Sequence, residues 1–186
     1  MKRLLDFTIA ATGLILLAPL MGLIAIAIRI DSPGPALFWS QRFGRGAQLF
    51  AMPKFRTMRT DAPQLPTHLV KDSASLLTGI GGFLRTTSLD ELPQLWSVLV
   101  GDMSLVGPRP ALFNQADLIE MRRENGSHTL TPGITGWAQV NGRDVLTLQS
   151  KVALDGEYHR RQSLLFDCRI LALTFVKVVR ADSIQH

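Results

Sequence analysis

Two neighbouring carboxylates set among arginines are the residues of this chain best equipped for chemistry. Asp90 and Glu91 lie in SLDELPQL (Ser88 to Leu95). Arg85 stands just before them, and Arg109 follows in GPRP (Gly107 to Pro110). Such a grouping suits a site that holds a phosphate and attacks it. Guanidinium groups neutralise phosphoryl oxygens, so a carboxylate can approach phosphorus without being repelled. KFRTM (Lys54 to Met58) adds two cations, with Lys54 and Arg56 on one face of a predicted strand and Phe55 on the other.

Each of these segments also has a purely structural reading. Ser88 followed by Glu91 spells a capping box, acids complement the first turn of a helix, and Pro93 fits a helix start. The prolines of GPRP stiffen a loop around one guanidinium, and Pro110 is a candidate for a cis bond. KFRTM is equally an ordinary amphipathic strand. Arg122 reads as a surface arginine.

Other chemistries find little support. GIGG (Gly79 to Gly82) sits in an apolar run without the spacing of a dinucleotide fingerprint, and no Walker-type loop is present. His68, His128, His159 and His186 are scattered, without metal-ligand spacing, and read as surface residues. Cys168 is the only cysteine, which excludes an internal disulfide, and it reads as packing in an apolar helix. Trp39, Trp96 and Trp137 do not interleave with a basic stripe, which argues against nucleic acid. The net charge of +5 rests on 20 basic residues, mostly arginine. That surplus fits anionic lipid or a phosphorylated substrate.

The elements that must position these residues begin with a hydrophobic segment. From Phe7 to Ile28 no residue is charged. As a helix this run reaches roughly 33 Å, about the thickness of a bilayer core. A cleaved leader, a straight span and a re-entrant helix broken at Pro19 are the three readings. Basic residues flank both ends: Lys2 and Arg3 before, and six from Arg29 to Thr60 against the single acid Asp31. Positive charge marks the cytoplasmic side, so flanks of one sign suit re-entry better than a span.

DSPGP (Asp31 to Pro35) ends the segment, and a hairpin follows across Gly44 to Gly46. Residues 60–75 read as a loop or cover, and 75–85 as a glycine-softened helix. Further helices are expected over 90–100, 111–124, 151–161 and 163–180, with a short strand within Thr131 to Arg143. The second of these helices is closed by Asn125 and Gly126. The fold class is α+β and helix-dominated. The expected organisation is a re-entrant membrane helix (1–30) and a cytoplasmic-face catalytic domain (31–186), together one functional unit.

Together these segments resemble the bacterial sugar transferase family, the monotopic polyprenyl-phosphate phosphoglycosyl transferases. The matching pieces are KFRTM, LRTTSLDELPQLWSVLVGDMSLVGPRP (Leu84 to Pro110) and TPGITGWAQVNGR (Thr131 to Arg143). Asp155 with Tyr158, and Ser163 with Asp167, complete the pattern. The chain looks like the minimal form, with one hydrophobic segment before the catalytic region. Two positions depart from the family: Ala18 precedes Pro19 where a serine is usual, and Ser97 stands where an asparagine is expected.

The resemblance implies a reaction. Asp90 would attack the sugar-bearing phosphorus of a nucleoside diphosphate sugar, usually a UDP-sugar. UMP would leave, and polyprenyl phosphate, with undecaprenyl phosphate the expected form, would take the phosphosugar from the aspartyl intermediate. Glu91 would bind Mg²⁺, together with Asp90, or assist proton removal. Lys54, Arg85 and Arg109 map to positions around the phosphates, and Gln139 and Arg143 to the nucleotide. The partners would be the two substrates and membrane lipid, with a homodimer left open. The expected location is the bacterial inner membrane, with the active site on the cytoplasmic face. A membrane-bound phosphohydrolase using Asp90, and a cationic membrane-anchored binding protein, are the rivals.

Overall fold

The hydrophobic segment forms α1, one helix of 30 residues from Lys2 to Asp31. The computed structural model describes residues 1–62, 73–142 and 145–179. Among them α1 alone is long and apolar enough to cross a membrane. The expected interruption at Pro19 is not a break, since helical backbone continues through it. Proline removes one donor and crowds one carbonyl, and the rest of the ladder carries the helix past it. One stripe of α1 faces the protein along its whole length. Asp6, Ala10, Ile24 and Ile28 are buried, with Gly13, Leu17 and Met21 half-buried between them. This spacing of three and four keeps one face inward. Gly13 allows a close approach, because a Cβ there would lie 3.3 Å from Leu95 Cδ1.

Both ends of α1 are fastened. Lys2 Nζ donates to Asp167 Oδ2 at 2.7 Å, and Arg3 donates to the Val98 and Leu99 carbonyls. Asp6 accepts from Ser104 Oγ at 2.8 Å and from the Leu105 amide at 3.1 Å. At the far end, Arg56 donates to the carbonyls of Ser32 and Pro33. Arg56 thus serves the turn after α1, because the strand that carries Lys54 ends at Phe55.

The expected hairpin is present. β1 (Leu37–Phe43) and β2 (Leu49–Phe55) pair antiparallel around a turn in which Gly46 and Ala47 are left-handed. β4 (Ala111–Leu112) pairs along the other edge of β1, giving the order β2-β1-β4. β3 (Ser104–Val106) and β5 (Gly133–Thr135) form a parallel pair. The helices are α2 (Gly81–Thr86), α3 (Gln94–Val100), α4 (Ala116–Glu124), α5 (Trp137–Val140), α6 (Leu148–Arg161) and α7 (Leu164–Val179). The chain is a helix-dominated α+β protein with small sheets. Its main core joins Ala10 of α1 to Met52, Val98, Met103, Val106, Tyr158, Phe166 and Ile170.

Several expectations change at residue level. The helix expected over 111–124 gives its first residues to β4, because Ala111 and Leu112 complete the sheet. The segment 75–85 begins in the 3-10 turn Ser73–Leu76, bridges Leu77 to Met58, and is α-helical only from Gly81. Pro110 is trans, as are all described peptide bonds. Cys168 is exposed on α7 rather than packed, since Phe166, Asp167 and Ile170 take the inward face. Most of the expected 60–75 cover, and Arg143, lie outside the described residues.

Candidate active site

The Asp90–Glu91 pair does not cap a helix. Ser88 is left-handed (φ 56°, ψ 17°) and makes no side-chain cap, and Leu89–Glu91 form a single 3-10 turn. α3 begins only at Gln94, with Pro93 as its N-cap residue. A non-glycine residue held in the left-handed region costs on the order of 1–2 kcal/mol. That strain stands two residues before Asp90. The capping-box reading fails because the Glu91 carboxylate is spent elsewhere: its Oε1 accepts from Lys54 Nζ at 2.8 Å and from Arg109 Nη2 at 3.2 Å.

β2 supplies Lys54 to this meeting point, and the loop after β3 supplies Arg109. Lys54 Nζ also lies 3.9 Å from Asp90 Oδ2. Asp90 is only 8% exposed. Burial pushes its carboxyl above the ordinary aspartate range, the nearby Lys54 opposes that shift, and the Glu91 charge adds to it. Burial likewise pulls the Lys54 ammonium down, against the attraction of Glu91. Arg85 donates from Nε to Thr57 Oγ1 at 3.0 Å, and its positive charge acts on Asp90. The structure thus brings Asp90, Glu91, Lys54, Arg85 and Arg109 into one electrostatic cluster.

A small cleft is walled by Arg42, Lys54, Glu91 and Arg109, with Met52, Gln94 and Pro110. Asp90 is not one of its walls and adjoins it through Lys54. Arg42 was not singled out in the sequence. It donates to Ser40 Oγ at 2.9 Å and to the Pro110 carbonyl at 3.3 Å. Burial, reinforced by the neighbouring Arg109, brings its guanidinium down to about 10. The signal for it lay in strand alternation. The pairs Phe38–Lys54, Ser40–Met52 and Arg42–Phe50 place Arg42 on the Lys54 face once the hairpin register is known.

Arg122 is the clearest departure from expectation. It is 6% exposed and donates to Asp155 Oδ2 from Nε and Nη2, at 2.9 and 2.7 Å. Gln139 lies on α5 rather than in the cleft wall. Both atoms of its carboxamide are buried without a protein hydrogen-bond partner among the described residues.

Phosphate chemistry is what this arrangement can support. Cations crowd two carboxylates in a partly buried cleft, where an anion's charge is neutralised at short range. No group of three or more acids, histidines or cysteines could hold a metal among the described residues. The adjacent Asp90 and Glu91 carboxylates still fit Mg²⁺, which commonly takes one or two carboxylates and completes its shell with substrate phosphate and water.

Comparison with known proteins decides the family. The model of the bacterial sugar transferases matches residues 1–181. The chain belongs to the bacterial sugar transferase family. It is 41% identical to a UDP-glucose:undecaprenyl-phosphate glucose-1-phosphate transferase of Xanthomonas campestris, over 96% of this chain and 38% of the relative. A protein of Escherichia coli K12 with the same description is 38% identical, over 95% of this chain and 40% of the relative. An uncharacterised sugar transferase of Bacillus subtilis is 41% identical, over 100% of this chain and 91% of its own length. The chain therefore spans about two fifths of the first two of these relatives.

Proposed function

We propose that this sugar transferase moves a sugar phosphate from a UDP-sugar to undecaprenyl phosphate, giving undecaprenyl diphosphate sugar and UMP. The observation that carries the reading is the placement of Asp90 beside Glu91 within a ring of Lys54, Arg85 and Arg109. The relatives' descriptions supply the donor and acceptor classes.

An oxygen of the ionised Asp90 carboxylate attacks the sugar-bearing phosphorus. The phosphoanhydride bond breaks and its electron pair leaves with UMP. Lys54 and Arg109 neutralise the phosphoryl oxygens as charge builds. Glu91, already held by both cations, keeps them directed at the cleft. The lipid phosphate then attacks the same phosphorus on the opposite side of the exchange, and the Asp90 carboxylate is released. Bound Mg²⁺, held by Asp90 and Glu91, would add positive charge to the diphosphate. Gln139, with an unsatisfied buried carboxamide, is the described candidate for contact with the nucleotide, and Arg143 is assigned there by family position.

The membrane helix serves the same reaction by holding the site at headgroup level, where a soluble donor and an anchored acceptor can meet. A span would carry Met1 to the other side of the bilayer. The bonds from Lys2, Arg3 and Asp6 to the body of the protein support a monotopic arrangement, and the basic flanks at both ends of the segment favour the cytoplasmic face.

The test is UMP release from a panel of UDP-sugars, with and without undecaprenyl phosphate, by the wild type and Asp90→Asn. Release that requires both the lipid phosphate and Asp90 is expected. Lipid-independent release would turn the reading into that of a phosphohydrolase, and full activity in Asp90→Asn would remove the nucleophile.

A further inference from the structure

The loop that carries Arg109 is held at every residue, and half of the holding is done by side chains from elsewhere. Pro108 and Pro110 have no amide donor, so the loop cannot brace itself with a turn ladder. At its start the chain is fixed by close main-chain contact. The Gly107 amide donates to Thr135 O, and the Gly133 amide donates to Pro108 O, both at 2.9 Å. A Cβ on either glycine would run into main-chain atoms of the other segment. The last two carbonyls are taken by guanidinium groups. Arg122 Nη2 donates to Arg109 O at 3.0 Å, and Arg42 Nη1 donates to Pro110 O at 3.3 Å.

Arg122 is backed in turn by Asp155. The two side chains are 8% and 2% exposed. Burial raises the Asp155 carboxyl, and Arg122 is the largest influence restoring it. As a device for joining α4 to α6 this pair is a poor choice. The desolvation of two buried charges roughly cancels their attraction, and well-packed apolar residues of similar volume are commonly neutral or better. What an apolar pair could not supply is the donor to the Arg109 carbonyl.

We propose that Arg122, oriented by Asp155, is a positioning residue that fixes the Arg109 main chain and so aims its guanidinium into the cleft at phosphate. Arg109 Nη2 lies 3.2 Å from Glu91 Oε1. The relay therefore runs from α6 through α4 and the loop to the acidic pair. The inference rests on the reading of Arg109 as a phosphate-binding group. It adds two residues, one of which looked like ordinary surface in the sequence.

The experiment is a cycle of UDP affinities, measured by calorimetry on the full chain in detergent, with UMP release assayed in parallel. The variants are Arg109→Ala, the apolar pair Arg122→Met with Asp155→Leu, and all three changes together. The apolar pair should melt no lower than wild type and bind UDP about tenfold more weakly, yet cost less than about twofold when Arg109 is already alanine. Wild-type affinity in the apolar pair, or the same loss with and without Arg109, would overturn the proposal and leave a structural ion pair.

Should the apolar pair not fold, Arg122→Lys takes its place. It keeps the charge opposite Asp155 but loses the rigid fork that reaches both partners. The same Arg109-dependent loss is expected of it, and an Arg109-independent one would overturn the proposal. Wild-type protein that binds UDP but releases no UMP would defeat the transferase reading while leaving the cycle to decide this one. Absence of UDP binding by the wild type would overturn the phosphate role of Arg109 on which this inference rests, and absence of UMP release as well would overturn both.

Discussion

At the scale of single residues, Asp90 is asked to be both buried and charged. Burial and the neighbouring Glu91 raise its carboxyl, with Lys54 opposing them. As the proposed nucleophile, Asp90 must be ionised, so UMP release should fall as pH drops through a value above the ordinary aspartate range of about 4. Stability should move the other way. A carboxyl whose folded pKa is raised binds protons better in the native state. Its unfavourable contribution is therefore absent below the unfolded pKa and complete above the folded one. Asp90→Asn should consequently melt no lower than wild type at pH 7, and any advantage should vanish near pH 4. Thermal melting across pH checks this, and a marked loss of stability at pH 7 would mean that Asp90 is structural. The left-handed Ser88 two residues earlier fits the same proposal, in which local cost is tolerated beside the proposed nucleophile.

Among the elements, α1 gains most from being seen in place. Its sequence shows a long apolar run with a proline inside, and the structure shows one stripe docked and both ends bonded. Asp6 illustrates the point. A charged residue in a hydrophobic helix is expensive unless satisfied, and this one accepts from Ser104 and the Leu105 amide. The consequence is topological. With the exposed Cys168 replaced by serine, a cysteine in an extension before Met1 and one replacing Arg45 should both be labelled by an impermeant maleimide only after cells are opened. Labelling of the first from outside intact cells would show a true span. The Arg109 loop makes the same argument in miniature, because its rigidity comes from β1, β5 and α4 rather than from its own prolines.

On the scale of the whole molecule, apolar surface is left uncovered where a soluble protein would hide it. Ile15, Leu16, Leu23 and Ile30 of α1 are strongly exposed, as are Leu165 and Phe175 of α7 and Phe83 of α2. Exposed apolar area of this kind marks a contact surface, and the basic surplus of the chain suits anionic lipid. If burial in lipid dominates over charge, washing membranes in high salt should leave the protein in place, and detergent should release it. Leu16→Glu together with Leu23→Glu should move a substantial fraction to the soluble phase, because neither residue belongs to the docked stripe. Release by salt alone would reverse that ranking.

The sequence by itself determined the helix-dominated α+β class, the hairpin, the apolar helix and the Asp90–Glu91 pair between Arg85 and Arg109, with Lys54 joined to it through the family resemblance alone. Local pattern governs such features: apolar runs set elements, turn residues end them, and acids near arginines declare a chemistry. Tertiary structure decided what each side chain does with its charge. Glu91 reads as a cap until Lys54 and Arg109 arrive from distant segments. Arg122 reads as surface until Asp155 and the Arg109 carbonyl claim it, and Arg42 is silent until the hairpin register puts it on the Lys54 face. Those partners lie tens of residues apart in the chain, and no local spacing encodes a contact that only packing creates.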